Sequence, residues 1–107
     1  MDSPLTTVLR HCARVCEDTL ESYGGQEEAT GTEFVSSLML AVAGIERAVA
    51  AEYDEPTHDA ALVIAATLCR DAAGGVRNYG LDPTLLRCAD ACERAAYLCE
   101  AALARSG

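Results

Sequence analysis

The sequence predicts an all-α fold, an antiparallel up-down-up-down four-helix bundle, on three observations. Alanine supplies 20 of the 107 residues, which suits closely packed helices and suits sheets poorly. Breaks at Gly24-Gly25, Asp54-Glu55-Pro56 and Gly80 to Pro83 divide the chain into four segments of ~20 residues. No segment alternates apolar and polar residues with the period of a strand.

Each helix has its own start and stop. Ser3 followed by Pro4 reads as an N-cap and a first helical position, and the first helix runs from about Pro4 to Tyr23. Thr30-Gly31-Thr32-Glu33 has capping-box spacing and opens a second helix that continues to about Tyr53. Asp54 is the cap expected for the third helix. That helix reaches Ala73 or Tyr79: Gly74-Gly75 weakens its last turns, and Gly80 is the cleaner stop. Asp82-Pro83 repeats the cap-and-proline start for the fourth helix, which runs to about Arg105. The short connections make neighbours antiparallel, so residues 1–107 read as one bundle domain.

Spacing of three and four residues defines the inward seams. They are Leu5, Leu9, Cys12, Cys16, Thr19 and Tyr23 on the first helix, and Phe34, Leu38, Ala41 or Val42, Ile45 and Val49 on the second. The third presents His58, Leu62, Ala65, Cys69, Ala72 and Val76; the fourth presents Leu85, Cys88, Cys92, Ala95, Cys99 and Ala102. All six cysteines fall on these seams.

The charge narrows the function classes. A formal charge of −9, with arginine as every basic residue, argues against nucleic acid or an anionic membrane as partner and is compatible with cations or basic proteins. The longest apolar stretch, Leu38 to Ile45, is far short of a membrane span, and no basic leader segment is visible, so a cytoplasmic setting is expected. In a reducing cytosol a dense cysteine set points to metal or redox chemistry before disulfides.

The cysteine spacing refines this. Cys12-x-x-x-Cys16 and Cys88-x-x-x-Cys92 each put two sulfurs on one helix face, a turn apart, and Cys99 lies two turns beyond Cys92. Aligning helix midpoints at ~1.5 Å per residue places Cys16, Cys69 and Cys92 at one height, Cys12 and Cys99 below, and Cys88 above. Such a column suits Cu(I), which accepts two or three soft thiolates. A single four-thiolate zinc site from both pairs is disfavoured, because Cys12 and Cys88 are ~12 Å apart in height. Iron–sulfur and thioredoxin-like chemistry call for Cys-x-x-Cys, which is absent.

At these residues a resemblance emerges. His11-Cys12-Ala13-Arg14-Val15-Cys16-Glu17 and Cys88-Ala89-Asp90-Ala91-Cys92-Glu93-Arg94-Ala95-Ala96-Tyr97-Leu98-Cys99-Glu100 resemble the cysteine-rich four-helix-bundle copper storage proteins, whose helices carry Cys-x-x-x-Cys-x-x-Cys-x-x-x-Cys tracts facing the bundle interior. The likeness spans the chain in length and helix count, with its specific motifs in the first and fourth helices. It implies Cu(I) as the bound metal, sequestration or buffering as the role, further assembly, and metal-ligating roles for Cys12, Cys16, Cys69, Cys88, Cys92 and Cys99. The chain departs from that pattern where Ala95 replaces a tract cysteine, where Thr19 and Tyr23 end the first tract, and in the second helix, which has no cysteine. It resembles a reduced member, one that holds a few copper ions or has kept the scaffold without storage.

Other readings stand beside this one. The thiols can be small core residues, or can pair between helices as Cys16–Cys92 and Cys12–Cys99, whereas pairs within one helix fit disulfide geometry poorly. His11 points about 100° away from Cys12 and reads as a boundary histidine or a ligand near the bundle end. His58 reads as a partly buried residue of the first turn or a ligand at the bundle mouth. Glu55-x-x-His58 has di-iron spacing, but no second such motif accompanies it. Tyr23, Tyr79 and Tyr97 suit packing at the bundle ends before the lining of a binding cavity. No complete set of acid, base and nucleophile is present. The competing function is a divergent bundle acting as a binding or accessory protein for a partner enzyme or small ligand. A homo-oligomer suits a small alanine-rich bundle of this kind.

Overall fold

The computed structural model describes residues 3–23, 32–80 and 82–106. Four helices follow one another: α1 (Pro4–Tyr23), α2 (Thr32–Ala50), α3 (Glu55–Tyr79) and α4 (Pro83–Ser106). They form a closed ring in which α1 packs on α2, α2 on α3, α3 on α4 and α4 on α1. Overall dimensions of 42 × 21 × 19 Å match helices of ~30–37 Å laid two by two.

Local chemistry explains most helix ends. Ser3 Oγ accepts the Thr6 N–H at 3.1 Å, and Asp82 Oδ1 accepts the Leu85 N–H at 3.0 Å, so both cap-and-proline starts act as expected. Asp54 does not cap with its side chain. Its carbonyl takes the His58 N–H at 2.7 Å, while Pro56 in the first turn needs no N–H partner. The second helix stops at Ala50, short of the expected Tyr53, because the backbone tightens there: Glu52 N–H reaches Val49 O at 3.2 Å and Asp54 N–H reaches Ala51 O at 2.9 Å. α3 runs through Gly74-Gly75 to Tyr79. Gly80 ends it in extended backbone (φ −177°, ψ 173°), so the stop uses the room beside Leu85 and no left-handed turn. The Gly24-Gly25 stop and the residues opening the capping box at Thr30 lie outside the described residues.

The antiparallel order is visible at both ends of the bundle. At one, Ser3 at the head of α1 donates its N–H to Glu52, just past α2, at 3.2 Å. At the other, Tyr23, Phe34 and Tyr79 close the bundle with ring centroids 4.6 to 6.2 Å apart, and the Tyr23 hydroxyl donates to Asp82. Tyr97 does not join them; it is exposed.

The core is made of a few large side chains set among small ones. Leu9, Leu38, Ile45, Leu62, Val76 and Leu85 are fully buried, and alanine and cysteine fill most of the remaining space. Most of the expected seam residues are buried, with Ala41 taking the inward place on α2 in preference to Val42. Ala48 likewise displaces Val49 to the rim, and Leu5, Tyr23 and Ala102 are only partly covered. Replacement of alanine by a larger residue at such contacts would force the helix axes apart.

Gly44 is one such contact. A methyl group added there would come within 2.9 Å of Leu68 Cδ1 and 3.5 Å of the Ala65 backbone, so α2 and α3 meet closely at this point. Gly74 is different: a methyl there meets nothing within 4 Å, and at Gly75 it meets only ordinary contacts with Phe34 and Ser37 at 3.8 Å. Gly74→Ala and Gly75→Ala are therefore expected to stabilise the protein by about 1 kcal/mol each through helix propensity. Thermal unfolding should register each as a rise of roughly 4–8 °C in Tm, whereas Gly44→Leu should lower it.

Candidate metal centre

The six cysteines turn inward, and each is completely buried with a free thiol. α1 contributes Cys12 and Cys16, α3 contributes Cys69, and α4 contributes Cys88, Cys92 and Cys99. Helical spacing explains the arrangement: residues four apart stack one turn above another on the same face.

Three sulfurs meet between α1 and α4. Cys16 Sγ lies 3.4 Å from Cys92 Sγ, Cys12 Sγ lies 3.9 Å from Cys92 Sγ, and all three fall within 4.8 Å of one another. Among the described residues, this is the one cluster of three cysteine, histidine or carboxylate ligand atoms close enough to share an ion. Three sulfurs around an ion at the zinc–thiolate bond length of ~2.3 Å would lie about 4.0 Å apart in a trigonal arrangement and two would lie about 4.6 Å apart in a linear one. The Cys12–Cys92 spacing is close to the trigonal value, the Cys16–Cys92 spacing is about 0.6 Å shorter, and the remaining pair is no more than 4.8 Å apart.

The other thiols extend the group in both directions. Cys88 interacts with Cys16 and Cys92 and touches the buried hydroxyl of Thr19. Thr19 Oγ1 is itself anchored by donating to Val15 O at 2.8 Å. On the far side, Cys12 interacts with Cys69, and Cys69 faces Cys99. One expected height needs correction: Cys69 was placed level with Cys16 and Cys92, and midpoint alignment misjudged the α3–α4 register. Arg70 Nε donates to Glu100 at 2.8 Å, and Arg77 reaches Asp90 at 3.0 Å as well as Glu93. Those pairs bring the Cys69 turn toward Cys99. They are exposed and screened by solvent, so they mark the register more than they enforce it.

Electrostatics within the cluster separate the thiols. S–H groups of Cys12, Cys88 and Cys92 surround the Cys16 sulfur and hold its pKa well below the ordinary thiol range. The same sharing of protons raises Cys12, chiefly through Cys16, and raises Cys92, chiefly through Cys12. Cys88 is pushed up to about 12, first by its contact with Cys16, and Cys99 is pushed up to about 12, first by burial. Sharing of protons among these sulfurs therefore favours a single thiolate within the group over several.

Two candidate histidines stand apart from this centre. His11 lines an outer groove between α1 and α4 with Thr7, Val8, Ala91 and Arg94, and His58 sits half-buried in the first turn of α3. Sequence spacing did not single out Thr6, which is buried and receives a hydrogen bond from Ser3 Oγ at 3.1 Å. Its burial beside the cap follows from the Ser3-x-x-Thr6 interval, a signal present in the sequence. No helix among the described residues is long and apolar enough to cross a membrane.

No protein-family model matches this sequence, and neither the curated proteins nor the solved structures contain a match. The arrangement of its own residues is therefore the basis for function: a buried cluster of three sulfurs, Cys12, Cys16 and Cys92, that can hold a metal ion.

The raised thiols give a stability signature in the metal-free, reduced protein. Cys88 and Cys99 stay protonated in the folded chain up to about pH 12, against an ordinary value of 9.0. Below about pH 9 both folded and unfolded chains hold these protons, and the stabilising contribution is complete. Between about pH 9 and 12 the unfolded chain releases them first, so stability falls as pH rises. The slope is up to about 1 kcal/mol per thiol per pH unit. Anaerobic thermal melts across that window should show it, and Cys99→Ala should flatten the profile relative to the parent protein.

Proposed function

We propose that this bundle binds Cu(I) and sequesters or buffers it through inward-facing thiolates. The observation that carries the reading is the meeting of Cys12, Cys16 and Cys92 with sulfurs 3.4 and 3.9 Å apart in a core from which solvent is excluded. All three donors are soft sulfurs and none is oxygen, which disfavours calcium and magnesium. Zinc seeks four ligands around one point, whereas Cu(I) is satisfied by two or three. Metal binding would displace S–H protons, so affinity would weaken as pH falls.

The remaining thiols support more than one ion in the file. Cys88 adjoins one side of the trio, and Cys69 with Cys99 adjoins the other. The resemblance to cysteine-rich copper storage bundles supports the same reading. Its cysteine positions at Thr19 and Ala95 are here taken by buried residues that offer no thiolate. A capacity of a few ions, suited to buffering, follows from that smaller donor set. The expected setting is cytoplasmic, where the thiols remain reduced.

Anaerobic titration of the fully reduced protein with Cu(I), against a chromogenic copper chelator, tests the proposal. Tight uptake of at least one ion per chain is expected, with a stabilisation of about 2.7 kcal/mol when free metal reaches 100 times Kd. Cys16→Ala or Cys92→Ala should weaken the tightest site by more than the ~10–100-fold loss typical of an outer-shell partner. Uptake of no copper by folded, reduced protein would refute it.

A further inference from the structure

The same site contains a pair of thiols placed to become a covalent bridge. Cys16 on α1 and Cys92 on α4 are free, fully buried and 3.4 Å apart at sulfur. A disulfide needs ~2.05 Å, so the two sulfurs must approach by about 1.4 Å, a distance that small side-chain rotations span. Cys12 is 3.9 Å from Cys92 and is the less close competitor. Pairs four apart within one helix remain poor candidates because the helix holds their Cβ vectors side by side.

We propose that Cys16 and Cys92 form a reversible disulfide under hydroperoxide stress, and that this bond closes the metal centre by withdrawing two of its three sulfurs. The closing consequence rests on the metal-binding reading above; the bond itself rests on the geometry of the thiols. The chemistry balances with a hydroperoxide as oxidant. Local opening of the α1–α4 seam admits the peroxide to these buried sulfurs; one sulfur then attacks it, and its O–O bond breaks to give a sulfenic acid and water or an alcohol. The second thiol displaces the sulfenic oxygen as water, forming the S–S bond. In total two S–H bonds are lost, and both protons and both electrons pass to the peroxide. A dithiol reductant reverses the bond by exchange. Cys12 alone remains of the trio and cannot hold an ion as a chelate.

The experiment begins with the reduced, metal-free, full-length protein and hydrogen peroxide in slight molar excess. Trypsin places Cys12 and Cys16 on different peptides by cutting after Arg14, and cleavage before Asp90 separates Cys88 from Cys92. Mass spectrometry without reductant then identifies the bridge directly. Loss of two of the six thiols, a Cys16–Cys92 linkage, at least ~10-fold weaker Cu(I) uptake and recovery with dithiothreitol are expected. Cys16→Ser should abolish the linkage and Cys69→Ala should retain it. Because the unmodified chain is mapped directly, the result stands even if a variant fails to fold. Retention of all six thiols, a bridge between any other pair, or undiminished copper uptake by the bridged protein would overturn the proposal. If the reduced protein takes up no copper, the copper reading fails, while the mapped linkage still decides whether this pair is the oxidisable one.

Discussion

The controlling constraint is that several sulfurs lie together in the interior, inaccessible to solvent. A thiol is a weak hydrogen-bonding group, so burying one costs little and resembles burying a small apolar residue. A thiolate is different, because isolated charge in a low-dielectric core is strongly disfavoured. The protein meets both conditions with neighbours of the same kind. Cys16 receives support from Cys12, Cys88 and Cys92, whereas Cys99 faces mainly its desolvation. The result is a core that is apolar in its packing and still has one preferred place for negative charge.

That arrangement depends on how little bulk surrounds it. Ala13, Ala65, Ala89, Ala95 and Ala96 are buried, so much of the interior contributes no more than a methyl group. Among the larger residues, Leu9 and Leu62 lie toward the end where α1 begins, Phe34, Tyr79 and Leu85 lie toward the opposite end, and Leu38 and Ile45 fill the α2 side. They hold the rods together by apolar burial of ~1.5–3 kcal/mol each. Side-chain caps at Ser3 and Asp82 fix the starts of the two helices that carry five of the sulfurs, so packing and capping both limit sliding of α1 against α4.

The helices and their inward faces were largely legible because the relevant forces are local. Pro4 after Ser3, Pro83 after Asp82 and Gly80 after Tyr79 each restrict the backbone within a turn of themselves, and the structure places helix ends there. Apolar spacing likewise identified all six buried cysteines. Two kinds of information were less accessible. Asp54 looked like a side-chain cap, but the turn after α2 uses backbone bonds. Cys69 was assigned the wrong height because register between α3 and α4 depends on side chains distant in sequence, including Arg70 with Glu100. The choice of Ala41 over Val42 and Ala48 over Val49 is similar: both alternatives preserve a helical stripe, and only the neighbouring helix decides which fits.

Charge also bears on which ion the trio can accommodate. Three thiolates around a monovalent ion would leave two negative charges in the core, while two thiolates and one neutral thiol would leave one. The second state requires less desolvation, because it leaves the smaller net charge in the core. A divalent ion would balance two thiolates fully, but zinc would still need further donors at the same point. Cys88 is the nearest additional sulfur by its contacts with Cys16 and Cys92, and its proton is held up to about pH 12. Discrimination between a soft monovalent ion and zinc therefore turns on the cost of removing that fourth proton in a dry core, a cost set by packing as much as by the sulfur ligands themselves.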